Sequence, residues 1–190
     1  MVAISYHLRD TVAMASSTLI SVSEYLNTTY RPDCDYIDGE VQERNVGERP
    51  HAFLQSILVA IFNNNRRIWN VVAATELRVQ TSATHYRIPD VCVLRRTDPV
   101  DAIVHTAPLV CIEVLSPRDT MSAMQDRVDD YIRMGVKHIW LIDPVSRHAY
   151  IATSNGFQQP LEGAFMVPGT DISISLAEVF TEFDEMMSQP

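Results

Sequence analysis

Two acidic residues stand where acids are costly. Asp90 lies in Ile88-Pro89-Asp90-Val91-Cys92-Val93-Leu94 and Glu113 in Leu109-Val110-Cys111-Ile112-Glu113-Val114-Leu115, so each carboxylate interrupts an otherwise apolar run. Runs of this kind read as buried strands, and a buried charge needs a partner. If the strands are neighbours the carboxylates converge, and at about 4 Å they repel by roughly 4 kcal/mol at an effective dielectric of 20. Either one is protonated or a cation lies between them. Hard oxygen donors with no histidine or cysteine cluster nearby suit Mg2+ or Mn2+ rather than zinc. The competing reading pairs each acid with an arginine, Arg87 and Arg127 being the candidates.

His51 heads an apolar face made of Leu54, Ile57, Leu58 and Ile61 at three- and four-residue spacing. A histidine there is either a base for the same site or a satisfied core residue. Arg127 falls beside Met124 and Tyr131 on the flank of another helical stripe, which gives it either reach into the site or a surface salt bridge. Glu40 and Glu76 are weaker candidates, with turn and strand-edge readings against them.

The elements that must position these groups follow from periodicity. Ser21 to Leu26 predicts a short opening helix, and the Asp38-Gly39 dipeptide within 35–43 predicts a hairpin. Pro50 opens a helix to about Arg67. Three strands are expected at Val71 to Gln80, Tyr86 to Leu94 and Leu109 to Leu115, then a helix from Met121 to Met134 stopped by Gly135, with Asp126, Asp129 and Asp130 facing mostly outward. A strand from His138 and an antiparallel return from His148 follow, and Leu176 to Met187 reads as an acidic surface helix. Helix, strands, helix, strand is the order of an α/β sandwich around a mixed sheet.

With 190 residues, 46% hydrophobic and 21% charged, the chain suits one domain, 1–190, with a core at about 20–155 and an acidic extension at 156–190. No run is long enough to span a membrane, and the Thr11 to Ile20 patch is too polar for a signal-peptide core. Cys34, Cys92 and Cys111 read as reduced thiols, and a cytoplasmic address is expected. Net charge is −9, which excludes indiscriminate coating of DNA, yet residues 44 to 96 hold eight arginines against three acids, a pattern compatible with an anionic ligand.

The ordered series Pro89-Asp90, Glu113-Val114-Leu115-Ser116-Pro117, Arg127, Tyr131, Gly135-Val136 and Trp140-Leu141-Ile142-Asp143-Pro144, with Tyr36-Ile37-Asp38-Gly39-Glu40 and His51 upstream, resembles the Uma family of restriction-endonuclease-like proteins in the PD-(D/E)XK superfamily. The resemblance covers about residues 20 to 155. It implies a restriction-endonuclease-like α/β fold, a mixed β-sheet flanked by helices. It also implies an Mg2+-dependent endonuclease acting on DNA, with Asp90, Glu113 and the Val114 carbonyl as metal ligands and catalytic roles for Asp90, Glu113, Arg127 and His51. A homodimer is expected. In such families a lysine aligns the attacking water, and here Arg127 fills that slot; Lys137 is the sole lysine, against fourteen arginines. An arginine cannot accept a proton from water. The alternative is therefore a catalytically impaired, nucleic-acid-binding or regulatory homo-oligomer.

Overall fold

The structure is a computed structural model and describes residues 19–44 and 48–188. Most of the Thr11 to Ile20 patch lies outside the described residues. Helix α1 (Val22–Asn27) is capped by Ser21, whose hydroxyl accepts the Glu24 amide at 3.1 Å. Strands β1 (Asp35–Ile37) and β2 (Glu40–Gln42) form the hairpin. Its turn needs positive φ at both central residues, and Asp38 (48°) and Gly39 (99°) supply it. Helix α2 (Arg49–Asn64) carries Pro50 in its first turn and buries His51, Leu54, Ile57, Leu58 and Phe62.

The next two expected strands are each split. Val71 to Gln80 becomes β3 (Val71–Ala74) and β4 (Val79–Ser82), separated by a turn in which Glu76 has φ 56°. Tyr86 to Leu94 becomes β5 (His85–Arg87) and β6 (Val91–Arg95), separated at Ile88-Pro89-Asp90. Pro89 has no N–H to give to a ladder, so the chain leaves one sheet and enters another there. Asp90 consequently sits at the junction of two sheets and not inside a strand.

Beyond it run β7 (Val110–Val114), α3 (Met121–Met134), β8 (His138–Ile142), β9 (Ala149–Thr153), β10 (Gly156–Gln158), β11 (Ala164–Met166), β12 (Ser173–Ser175) and α4 (Leu176–Met187). One sheet has the order β2-β1-β5-β4, the larger one β10-β9-β8-β7-β6-β3, and β11 pairs with β12. Of the pairs in the larger sheet only β7 and β8 run parallel, with α3 as their crossover. Gly135 ends α3 at φ 100°, as the αL stop requires.

The larger sheet buries one face under α2 and α4 and the other under α3. Helix α4 is not simply a surface element: Val179, Phe180 and Phe183 join the main core, and Phe165 of β11 stacks on Trp140 of β8 with ring centroids 4.6 Å apart. The residues after 155 thus complete the core. Among the described residues no helix is long and apolar enough to cross a membrane.

Candidate active site

Strands β6 and β7 are antiparallel neighbours in the register Val91↔Ile112. Continuing that register by one residue beyond the paired strands sets Asp90 opposite Glu113. The Val114 amide donates to Asp90 Oδ2 at 2.8 Å, tying the bend before β6 to the backbone of β7. His51 Nε2 lies 3.1 Å from the same oxygen, Arg44 Nη2 donates to Oδ1 at 2.5 Å, and Gln55 donates to the Asp90 carbonyl at 2.7 Å. Glu113 accepts from the Tyr131 hydroxyl at 2.6 Å and faces Arg127 Nη1 at 3.3 Å. Asp90, Glu113, Arg127 and His51, named from sequence, are therefore assembled around one centre.

The electrostatics separate the two acids. Burial, countered by the Arg127 charge and reinforced by the Asp90 charge, pushes the Glu113 carboxyl up to about 7. Burial also opposes ionisation of Asp90, but the His51 hydrogen bond and the Arg44 charge outweigh it and hold Asp90 below the usual carboxylate range. Burial works against a charged His51, yet its bond to Asp90 prevails and raises it. An imidazole held in this way keeps its proton more readily than a free one. A depressed acid, a raised acid and a raised imidazole thus share one buried cluster, a pattern that buried like charges impose.

Three site residues escaped the sequence reading. Arg44 was only one of many arginines in a basic stretch, yet its side chain is 4% exposed. Asp35 looked like the edge of a hairpin; its carboxylate accepts the Ile88 amide at 3.0 Å and joins Arg87 and Arg127, each at 3.1 Å. Asp130, expected to face outward, is buried at 2% because it takes Arg87 Nε, Arg133 Nη2 and His85 Nδ1 at 2.6, 2.6 and 2.9 Å. An acid on the buried stripe of α3, one position before Tyr131, was the available signal for Asp130. Both acids do have an arginine partner, Arg44 for Asp90 and Arg127 for Glu113, whereas Arg87 serves Asp35 and Asp130. Glu40 and Glu76 are exposed and lie outside this cluster.

Among the described residues, neither Asp90 nor Glu113 lines the arginine-bearing cleft beside them. This cleft of about 420 Å³ lies in front of them, lined by Arg44, Arg87, Arg127 and Arg133 together with Asp119, Asp126 and Asp130. Its arginines offer planar forks suited to phosphate oxygens. Among the described residues no three His, Cys, Asp or Glu side chains are gathered around a metal-sized space. Two carboxylates nevertheless fit Mg2+, which keeps several waters and takes remaining ligands from substrate phosphates. The raised Glu113 and the depressed Asp90 have the oxygen chemistry that such an ion replaces a proton to reach. Arg44 occupies Asp90 Oδ1, as Arg127 and Tyr131 occupy Glu113.

The fold and this centre define a restriction-endonuclease-like α/β protein. A family model described as "Putative restriction endonuclease", Uma2, matches residues 22–180, and the chain belongs to that family. The match continues into α4, past the limit of about 155 read from motifs. A crystal structure of "a putative nuclease" from Anabaena variabilis superposes with a TM-score of 0.73 at 22% identity, covering 86% of this chain and 99% of the other. That likeness bears on the fold. No curated protein matches the chain.

Proposed function

We propose that this chain is a metal-dependent endonuclease that hydrolyses phosphodiester bonds of DNA. The observation that carries the reading is the buried Asp90 and Glu113 pair, opposed across β6 and β7, in which Glu113 holds its proton up to about 7. Asp90, Glu113 and the Val114 carbonyl would hold Mg2+ or Mn2+. Bound there, such an ion supplies Lewis-acid polarisation of the scissile phosphate and a water of lowered pKa. The chain's own residues have separate tasks. Arg127, permanently charged, holds a phosphate oxygen and the charge that develops on it. His51 orients Asp90, and Tyr131 orients Glu113. Arg87 is tied to Asp35 and Asp130, so it frames the cleft.

The buried, unpaired Cys34, Cys92 and Cys111 suit a reducing cytoplasm. One centre per chain cuts one strand, so cleavage of both strands calls for a homodimer with two-fold symmetry.

The test is a nicking and cleavage assay on supercoiled, linear and single-stranded DNA with Mg2+ or Mn2+. Turnover in the wild type that vanishes in Asp90→Ala is the expected result; no metal-dependent turnover on any substrate would overturn it. A binding-only reading has one observation in its favour, the occupation of both acids by arginine. Under it DNA is retained by the wild type and cut under no metal.

A further inference from the structure

A second cavity of about 420 Å³ lies beside the carboxylates, within the roughly 300–1,000 Å³ of small-molecule pockets. The sheet register locates it. Glu113 on β7 pairs with Leu141 on β8, and Leu141 pairs with Tyr150 on β9, so the three form one row across the sheet. Two strand spacings, about 10 Å, separate the backbones of Glu113 and Tyr150. Leu141 and Tyr150 line the cavity together with Leu115, Met124 and Phe157. Leu115 lies two residues after Glu113, on the same side of the strand.

The two cavities share Asp119 as a wall but differ in chemistry. The cleft sets Arg44, Arg87, Arg127 and Arg133 among Glu43, Asp119, Asp126 and Asp130. Among the described residues no arginine or lysine lines the second cavity, and its polar rim includes Asp119 and Asp143. That rim repels phosphate. The two half-buried rings and the apolar floor suit a flat, neutral, aromatic group, and such a group lies one step from a phosphate in every nucleotide. Its position at the carboxyl ends of parallel β7 and β8 is where open α/β sheets take ligands.

We propose that this cavity receives one unpaired nucleobase beside the scissile phosphate, stacked against Phe157 and Tyr150. The substrate class is then single-stranded or locally opened nucleic acid. A base held in a duplex must leave its stack to enter, whereas a single strand pays little for it. Stacking on an aromatic ring accepts every base, so the site tolerates sequence. The base site rests on the phosphodiesterase reading for what happens to the strand, and its binding is measured separately.

Short single-stranded oligonucleotides carrying 2-aminopurine at successive positions, as DNA and as RNA, are titrated into the protein, alongside duplexes of the same sequence. Quenching at one position in a single strand, DNA or RNA, supports the site and tells which strand it serves. Phe157→Ala should abolish the quenching and weaken single-strand binding by roughly tenfold or more. If that variant folds poorly, Phe157→Leu keeps an apolar side chain and removes the ring, and Phe157→Trp should restore the quenching. Binding that depends on Arg127 but leaves 2-aminopurine bright, or that ignores Phe157, overturns the base site and leaves the phosphodiesterase reading standing. Phe157-dependent quenching without cleavage under any metal does the reverse. Absence of all oligonucleotide binding overturns both.

Discussion

Arg127 joins two carboxylates far apart in the chain: Nη1 lies 3.3 Å from Glu113 Oε2 on β7, and Nη2 lies 3.1 Å from Asp35 Oδ2 on β1. Removing one partner of a buried ion pair costs about 3–5 kcal/mol because the other charge is stranded. Arg127→Ala should therefore destabilise the protein in urea unfolding. It should also lower cleavage by roughly a hundredfold or more, the usual cost of one electrostatic donor. Arg127→Lys keeps a charge but cannot fork to both acids. It should cost less stability and cut at least as fast as the wild type, since an ammonium can adjust its pKa. Indifference to both substitutions would remove Arg127 from the site.

Magnesium or manganese should raise the melting temperature by mass action. At about 100 times the dissociation constant the gain is about 2.7 kcal/mol, or roughly 5–10 °C for a chain of this size. Asp90→Asn should abolish the shift, because it keeps the shape and loses the charge. A shift that survives in Asp90→Asn, followed by differential scanning fluorimetry, would place the ion elsewhere.

The pH dependence has a definite sign. Glu113 is raised from 4.5 to about 7 in the metal-free fold by burial, and the Asp90 charge adds to this against Arg127. For a group with a raised folded pKa, the contribution is fully present below the unfolded value and is lost as pH rises through the folded one. Metal-free protein should thus lose stability between about pH 4.5 and 7 on account of Glu113, and Glu113→Gln should flatten that slope. Metal needs the ionised acid, so affinity should climb with pH up to about 7 and then level, with proton release seen by calorimetry in buffers of different ionisation enthalpy.

The sequence displayed the helices and the core strands because their apolar residues keep one period over many positions. Helix α3 was legible end to end from Met124, Val128, Tyr131 and the stop at Gly135. The division into two sheets was not legible, since Tyr86 to Leu94 reads as one strand whose break rests on a single residue, Pro89. The acids of the site announced themselves through their apolar neighbours. Their partners did not: Arg44 and Asp35 reach the centre from sequence distances of 46 and 52 residues to Asp90 and Arg87. No local periodicity encodes such pairings. Residues 154–175 carried no periodic signal because β10, β11 and β12 are three residues each.

The C-terminal segment should prove indispensable to folding. Phe165 is fully buried and lies parallel to Trp140, with an interplanar angle of 1°. Phe165→Ala should cost about 3–5 kcal/mol, as large-to-small changes of buried aromatics do. Truncation after residue 155 would expose the apolar face that α4 covers on α2. A truncated chain that unfolds at the wild-type urea midpoint would show that this packing contributes nothing.

Arg44 stands between Asp90 and any ion. Its Nη2 donates to Oδ1, its side chain is almost wholly buried, and its Nε has no hydrogen-bond partner among the described residues. A guanidinium in that position competes with a divalent cation for the same oxygen. Arg44→Gln should consequently have two opposite effects. Without metal it leaves Asp90 short of a counter-charge and should destabilise the fold by about 3–5 kcal/mol. With Mn2+ it should bind the ion more tightly than the wild type and show a larger metal-induced rise in melting temperature, because the competitor is gone. If Arg44 serves only to hold substrate phosphate, metal affinity should be unchanged while the KM for DNA increases. Calorimetric titration of Mn2+ into both proteins separates the two roles, and a weaker metal site in Arg44→Gln would refute competition.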